Sequence, residues 1–245
     1  MAGLEGRRIL ITGASSGLGR HFAQVLAAQG AEVVLAARRV EALEELAATI
    51  GSAASVVPLD VTDPASVREA VAQAGAIDVL VNNAGVSAAQ PVLDATVEDF
   101  DHIMNANLRG AFLVATEAAR GMRDRGTGGA IVNIASILGL AQGGQLTVYA
   151  MSKAGVVQMT KQMALELARY GIRVNALAPG YFTTDMNRDF LASKLGEAMA
   201  RRIPQRRFGQ FEDLDGPLTL LCSDASRYMT GVVMPVDGGH VLGGL

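Results

Sequence analysis

The chain has 245 residues, 50% apolar and 18% charged, with 28 glycines and a formal net charge of −3, which fits one soluble α/β domain with a large core better than two half-sized ones. Glycine exceeds its usual share of about 7% but stands at isolated positions between apolar runs, which excludes collagen-like and disordered chains. One cysteine (Cys222) excludes an internal disulfide, and three scattered histidines (His21, His102, His240) form no metal-ligand cluster. A pI near 5.6 with dispersed arginines lacks the footprint of a nucleic-acid binder.

From Met1 to Thr12 only a strand-length apolar run follows Arg7 and Arg8, too short for a signal peptide or a membrane span, so a cytoplasmic protein is expected. Beyond it, short β-branched apolar runs alternate with longer amphipathic stretches. Strands are expected at Arg8–Thr12, Glu32–Ala37, Ser55–Leu59, Val79–Asn82, Ala130–Ala135, Arg173–Leu177 and Val232–Val236. Most are apolar on both sides of the alternation, as strands covered by helices on two faces must be. Helices are expected at Gly17–Gln29, Val40–Thr49, Pro64–Gln73, Val97–Arg123, Tyr149–Tyr170 and Glu212–Cys222. Right-handed crossovers then give a single doubly wound, Rossmann-type α/β domain over residues 1–245, with a seven-stranded parallel sheet. A strand-free insertion follows the sixth strand, and its position beyond the strand ends predicts a substrate lid over about 181–210.

The first strand runs directly into Thr12-Gly13-Ala14-Ser15-Ser16-Gly17-Leu18-Gly19. Glycines at a strand-to-helix junction let backbone N–H groups approach a pyrophosphate at the positive end of the helix. No Gly-Lys-Ser/Thr follows, so a nucleoside triphosphate loop is disfavoured. The second strand ends Val33-Val34-Leu35-Ala36-Ala37-Arg38-Arg39. Without a carboxylate at its tip nothing repels a 2′-phosphate, and Arg38 with Arg39 offers guanidinium forks for one, so NADP(H) is favoured with NAD(H) possible. Tyr149-Ala150-Met151-Ser152-Lys153 stacks a phenol and an ammonium on one helix face, where the ammonium is expected to draw the phenol toward a working pKa.

Together these residues resemble the short-chain dehydrogenases/reductases over essentially the whole chain. Further matching segments are Asp60-Val61, Asn82-Asn83-Ala84-Gly85, Asn107, Ser136, Pro179-Gly180 leading to Thr184, and Val236-Asp237-Gly238-Gly239. The nearest in look are the 3-oxoacyl carrier-protein reductase type and small-alcohol or sugar dehydrogenases. The resemblance implies that Tyr149 exchanges a proton with the substrate oxygen, that Lys153 lowers its pKa and holds the nicotinamide ribose, that Ser136 bonds the same oxygen, and that Asn107 orients a water leading to Lys153. It places Asp60 and Val61 beside adenine, Asn83, Ala84 and Gly85 at the adenine-side ribose and sheet centre, and Pro179, Gly180 and Thr184 beside nicotinamide. Asn82 and Asn83 have an alternative role in bonding the strand ends. Two features depart from the clearest NADP pattern: position 16 is serine where many NADP-preferring members are basic, and Glu32 falls too early in its strand to reach a ribose.

By the same analogy Ser136, Leu138, Gln145, Tyr149 and Tyr181 line the substrate pocket, with Leu140, Gln142 and Phe182 nearby, a mostly apolar and uncharged wall that suits a ketone or secondary alcohol. For a carrier-protein thioester, Arg123, Arg125 and Arg169 are the candidate anchors. Apolar or small residues on several faces of two helices, among them Ala106, Ala111, Phe112, Ala115, Ala150, Met159, Met163 and Leu167, predict a helix-pair interface, and the family is typically tetrameric through these helices. The leading reading is an NADP(H)-dependent carbonyl reductase or alcohol dehydrogenase. Its alternatives are an NAD-dependent alcohol or sugar dehydrogenase, a 3-oxoacyl-thioester reductase, and a non-catalytic dinucleotide-sensing protein.

Overall fold

In a computed structural model describing residues 3–183 and 193–243, seven strands pair in parallel in the order β3-β2-β1-β4-β5-β6-β7. They are β1 (Arg8–Thr12), β2 (Glu32–Ala37), β3 (Ala54–Pro58), β4 (Val79–Asn82), β5 (Gly129–Ile134), β6 (Ile172–Pro179) and β7 (Val233–Val236). The continuous apolar runs have a direct structural cause. Ile9, Ile11, Val33 and Leu35 join one core cluster with Phe22, Leu26, Leu43 and Leu218, while the intervening Leu10 and Val34 join another with Val67, Val114 and Ala118. β1 and β2 therefore bury both alternating sets, one under each helical layer.

The helices are α1 (Gly17–Ala28), α2 (Val40–Ile50), α3 (Pro64–Ala74), α4 (Val97–Met104), α5 (Ala111–Arg125), α6 (Thr147–Leu167), α7 (Lys194–Ala200) and α8 (Asp215–Cys222). Local signals set several of their starts. Asp63 caps α3 by accepting from the Ala65 amide, with Pro64 in the first turn, and Thr96 with Asp99 forms a reciprocal capping box on α4.

Three differences from the sequence expectation bear on function. The helix expected as one piece over Val97–Arg123 is divided by a π-helical turn at Asn105–Gly110, which places the buried Asn107 side chain against Val86 and Ser152; π turns insert one residue and recur at functional sites. β6 runs on to Pro179, so the Pro179-Gly180 corner sits at the crevice itself. The insertion after β6 is tied at its base by a bridge between Phe182 and Gly209 and carries α7, capped by Ser193. Thr184 and the lid residues Met186, Phe190 and Leu191 lie outside the described residues.

β1 and β4 are neighbours although β2 and β3 intervene in sequence, so connections leave them in opposite directions and open a crevice at their C-terminal ends. Thr12 holds that crevice together: its Oγ1 accepts from the Asn83 and Ala84 amides, both at 2.9 Å.

Candidate active site

The glycine-rich turn is shaped by close approach. A Cβ on Gly19 would lie 2.3 Å from the Gly13 carbonyl oxygen and 2.6 Å from Asn83 Nδ2, so α1 packs against the turn and β4 only with glycine there. Gly17 has the opposite reason: at φ +53° it needs no side chain, and its Cβ would meet no atom within 4 Å. The Ser16 hydroxyl makes no capping bond to α1 and the first turn holds no acidic residue, leaving its N–H groups for an anion. They open on a 540 Å³ cavity lined by the turn, Ala37–Arg39, Asp60–Thr62 and Asn83–Val86. The residues fit a dinucleotide: an uncapped helix start, a cradle at Gly17 and a long adjoining cavity.

Arg38 lines this cavity. Arg39 donates to Ser15 Oγ at 3.1 Å and to Ser16 Oγ at 2.8 Å. The cation missing from position 16 in sequence is thus supplied there in space by Arg39. Asp60 accepts from the Thr62 hydroxyl at 2.7 Å and amide at 2.9 Å; these bonds, aided by the Arg38 charge, hold its carboxyl below the usual range despite some burial. Asn83 donates to the Thr12 carbonyl at 3.0 Å, so it fastens strand ends as well as lining the cavity, whereas Asn82 is turned inward to the Ala111 carbonyl and Asn133.

Leu18, Asn83, Gly85 and Val86 also border a second cavity of 660 Å³, so the two form one trough across the crevice. Its wall carries Ser136, Tyr149, Lys153, Leu138, Pro179, Gly180 and Tyr181. Gln145 is not on that wall; it takes a positive φ of 62° and its carbonyl accepts from the Gln90 amide at 2.8 Å, leaving the adjacent Leu146 to face the cavity. Leu140 is exposed and off the wall as well. Arg123, Arg125 and Arg169 line no part of the trough: they bond Asp124, the Ile77 carbonyl and the Tyr170 hydroxyl.

Ser136 follows β5 and caps the short turn after it, its Oγ accepting from the Leu138 amide at 3.1 Å, and its hydroxyl lies beside the Tyr149 phenol on the cavity wall. Burial raises the Tyr149 pKa above its usual 10, with the neighbouring Ser136 hydroxyl pulling the other way and Tyr181 adding to the rise. This direction corrects the expectation of a depressed phenol. Lys153 Nζ lies over the ring face, 5.7 Å from its centroid, and donates to the Ile134 carbonyl at 2.8 Å. Burial pulls this ammonium down to about 8, so it is a weaker source of positive charge than the spacing alone implies. The phenol is a proton donor at neutral pH.

The lowered Lys153 gives a pH signature. Below pH 8 the folded state bears the full cost of burying the charge. Between about 8 and 10.5 the unfolded chain keeps a proton that the folded chain has released, so stability rises with pH. Relative to Lys153→Met, the wild type should gain up to about 3 kcal/mol of unfolding free energy between pH 8 and 10.5 in denaturant titrations; a flat difference excludes the depressed ammonium.

Asn107 spends its side chain on protein partners. Oδ1 accepts from the Val86 amide at 2.7 Å, and Nδ2 donates to the Val86 carbonyl at 2.8 Å and to Ser152 Oγ at 3.0 Å. Ser152 in turn donates to the Tyr149 carbonyl at 2.7 Å, so the π turn grips both the cavity wall and the first turn of α6. Sequence reasoning missed Thr12 and Ser152. The only signal was adjacency to a motif, because a hydroxyl on an apolar element does not reveal its partners.

A doubly wound domain whose crevice joins a dinucleotide cradle to a cavity bearing a phenol, a hydroxyl and a buried amine defines a dinucleotide-dependent oxidoreductase. A sequence profile of the family described as enoyl-(acyl carrier protein) reductase matches residues 13–240. The L-rhamnose 1-dehydrogenase (NAD(P)(+)) of Azotobacter vinelandii is 39% identical, covering 95% of this chain and 96% of its own. The 3-oxoacyl-[acyl-carrier-protein] reductase of Thermotoga maritima is 41% identical, covering 98% and 99%. A solved gluconate 5-dehydrogenase from Burkholderia cenocepacia, in complex with NADP and tartrate, superposes with a TM-score of 0.93 at 39% identity over 98% of this chain and 97% of its own. The chain belongs to the short-chain dehydrogenase/reductase family, whose enzymes interconvert ketones and secondary alcohols with a nicotinamide dinucleotide.

Proposed function

We propose that this enzyme prefers NADP(H) and that Tyr149 is its general acid and base, giving a proton to the ketone oxygen in reduction and taking it back in oxidation. The observation carrying this reading is the convergence of Tyr149, Ser136 and Lys153 on one cavity that continues into the dinucleotide cradle. The bound dinucleotide supplies the hydride. Gly13 to Gly19 would hold its phosphates, Asp60 and Val61 its adenine, Asn83 to Gly85 its adenine-side ribose at the sheet centre, and Pro179 and Gly180, together with Thr184 outside the described residues, its nicotinamide end. Ser136 donates to the substrate oxygen as charge develops there. Lys153 would hold the nicotinamide ribose, and Asn107 would orient a water that links Lys153 to solvent. Leu138 and Tyr181 shape the substrate wall.

Preference for the 2′-phosphate rests on Arg38 and Arg39, with the Ser15 and Ser16 hydroxyls under Arg39 completing a concave group of donors. Arg38→Ala and Arg39→Ala should each raise the KM for NADPH by about ten- to a hundredfold, the cost of one charge-assisted contact, and leave the KM for NADH nearly in place; equal losses remove this assignment. The primary experiment is initial rates on aryl ketones, diketones, sugars and acetoacetyl thioesters, each with NADPH and NADH. Faster turnover with NADPH supports the reading, and NADPH binding without any turnover favours a sensing protein.

The relatives named for sugars and sugar acids support a small hydroxylated substrate. A cytoplasmic homotetramer is the proposed assembly, supported by half-exposed Phe112 beside a 340 Å³ apolar hollow lined by Met104, Leu108 and Met159. Ala106, Ala111 and Ala115 are buried within the domain and contribute nothing to that face. No helix of the described residues is long and apolar enough to cross a membrane. The insertion over 181–210 is proposed as the substrate lid, its base fixed by the Phe182 bridge to Gly209.

A further inference from the structure

The C-terminal turn behind the substrate cavity contains an unexplained buried side chain. His240 is 2% exposed, and among the described residues its Nδ1 has no hydrogen-bond partner. Leaving a buried nitrogen unpaired costs stability, so the imidazole is not retained for a hydrogen bond within the fold. What its ring does contact is Tyr181, with centroids 5.6 Å apart and planes tilted by 48°, within the range of favourable aromatic pairs.

His240 is held firmly. The Asp237 carboxylate accepts from the Gly239 amide at 2.9 Å and the Val241 amide at 2.8 Å, and the Gln205 amide donates to the Gly238 carbonyl at 3.1 Å. On the other side, Gly180 lies so close to Asp237 that a Cβ there would stand 2.7 Å from the Asp237 Cβ. The turn therefore backs both the backbone and the ring of the Gly180-Tyr181 corner. Tyr181 lines the cavity that holds Tyr149 and Ser136, and among the described residues its hydroxyl has no hydrogen-bond partner. A half-buried phenol on the wall that also carries Tyr149 and Ser136 suits a second oxygen on the neighbouring carbon of the substrate.

We propose that His240 is a specificity-determining positioning residue: its ring fixes the Tyr181 phenol beside Tyr149, and the enzyme thereby favours ketones that carry a hydroxyl on the adjacent carbon. This inference rests on the ketone reductase reading above. It assigns no chemistry to His240, which acts only through Tyr181.

The test compares hydroxyacetone with butan-2-one, which have the same number of heavy atoms and differ by one hydroxyl. For the purified enzyme with NADPH, kcat/KM should favour hydroxyacetone by about tenfold or more, the value of one hydrogen bond to a buried partner. Tyr181→Phe should bring the ratio close to one, as should His240→Ala. The double variant should show no further fall, because both changes remove the same interaction. His240→Phe keeps an aromatic ring and removes the unpaired nitrogen, so it should retain the preference. General loosening of the site depresses both ketones and does not move the ratio. A wild-type ratio near one, a preference surviving in His240→Ala, or its loss in His240→Phe overturns the inference. Wild-type enzyme that reduces no ketone in the panel removes the reductase reading itself, a distinct result.

Discussion

Tyr149→Phe should lower kcat for ketone reduction by about 10²- to 10⁴-fold, the usual worth of a positioned general acid, with NADPH affinity unchanged. Phenylalanine fills the same partly buried space at the start of α6, so the cavity keeps its shape, and what is lost is the proton held beside Ser136. Burial keeps that phenol protonated at neutral pH, so reduction has its donor in place without a titration step. The check is stopped-flow decay of NADPH absorbance alongside a fluorescence titration of NADPH binding. Full binding with lost turnover fits the assignment; unchanged turnover moves the acid elsewhere.

Gly19→Ala should be the most damaging single methyl in the protein. Its Cβ would stand 2.3 Å from the Gly13 oxygen and 2.6 Å from Asn83 Nδ2, so either α1 withdraws or the turn opens. Overpacking of this kind costs about 1–3 kcal/mol. Because the displaced atoms include the backbone that faces the phosphates, the Kd for NADPH should rise by up to about a hundredfold, with a lower Tm in the absence of dinucleotide. Gly17→Ala is the informative contrast. Its methyl has open space, and the strain at φ +53° is only about 1–2 kcal/mol, so the principal loss there is affinity, through a methyl placed where the phosphates lie. Calorimetric Tm and NADPH titration on the two variants separate packing from phosphate access; equal loss of Tm in both contradicts the distinction.

Much of this was legible in the linear chain because it depends on local rules. Strands buried on both faces must be apolar at every position, which exposed β1, β2 and β4 as continuous runs. Glycines at the first strand-to-helix junction and the four-residue spacing of Tyr149 and Lys153 are likewise properties of adjacent residues. Other features escaped because their causes lie far away in sequence. The π turn that aims Asn107 breaks what reads as one helix, and Val86 and Ser152 hold Asn107 across 21 and 45 residues. Gln145, read as a wall residue, is turned off the wall by a backbone bond to Gln90.

The sequence by itself determined the doubly wound α/β class, the glycine-rich first turn and the placing of Tyr149 and Lys153 on one helix face, since periodicity and short spacings are written in neighbouring residues, whereas Asn107 and Ser136 were singled out only by resemblance to the family. Only the tertiary structure decided the electrostatic state of Tyr149 and Lys153. Burial is a property of the assembled protein: it raises Tyr149 and lowers Lys153, the reverse of what spacing alone implies for the phenol. It decided equally that Arg39 supplies a cation over Ser16 and that His240, 59 residues beyond Tyr181, stands behind the substrate cavity, because contacts between distant segments exist only once the sheet has brought its strand ends to one edge.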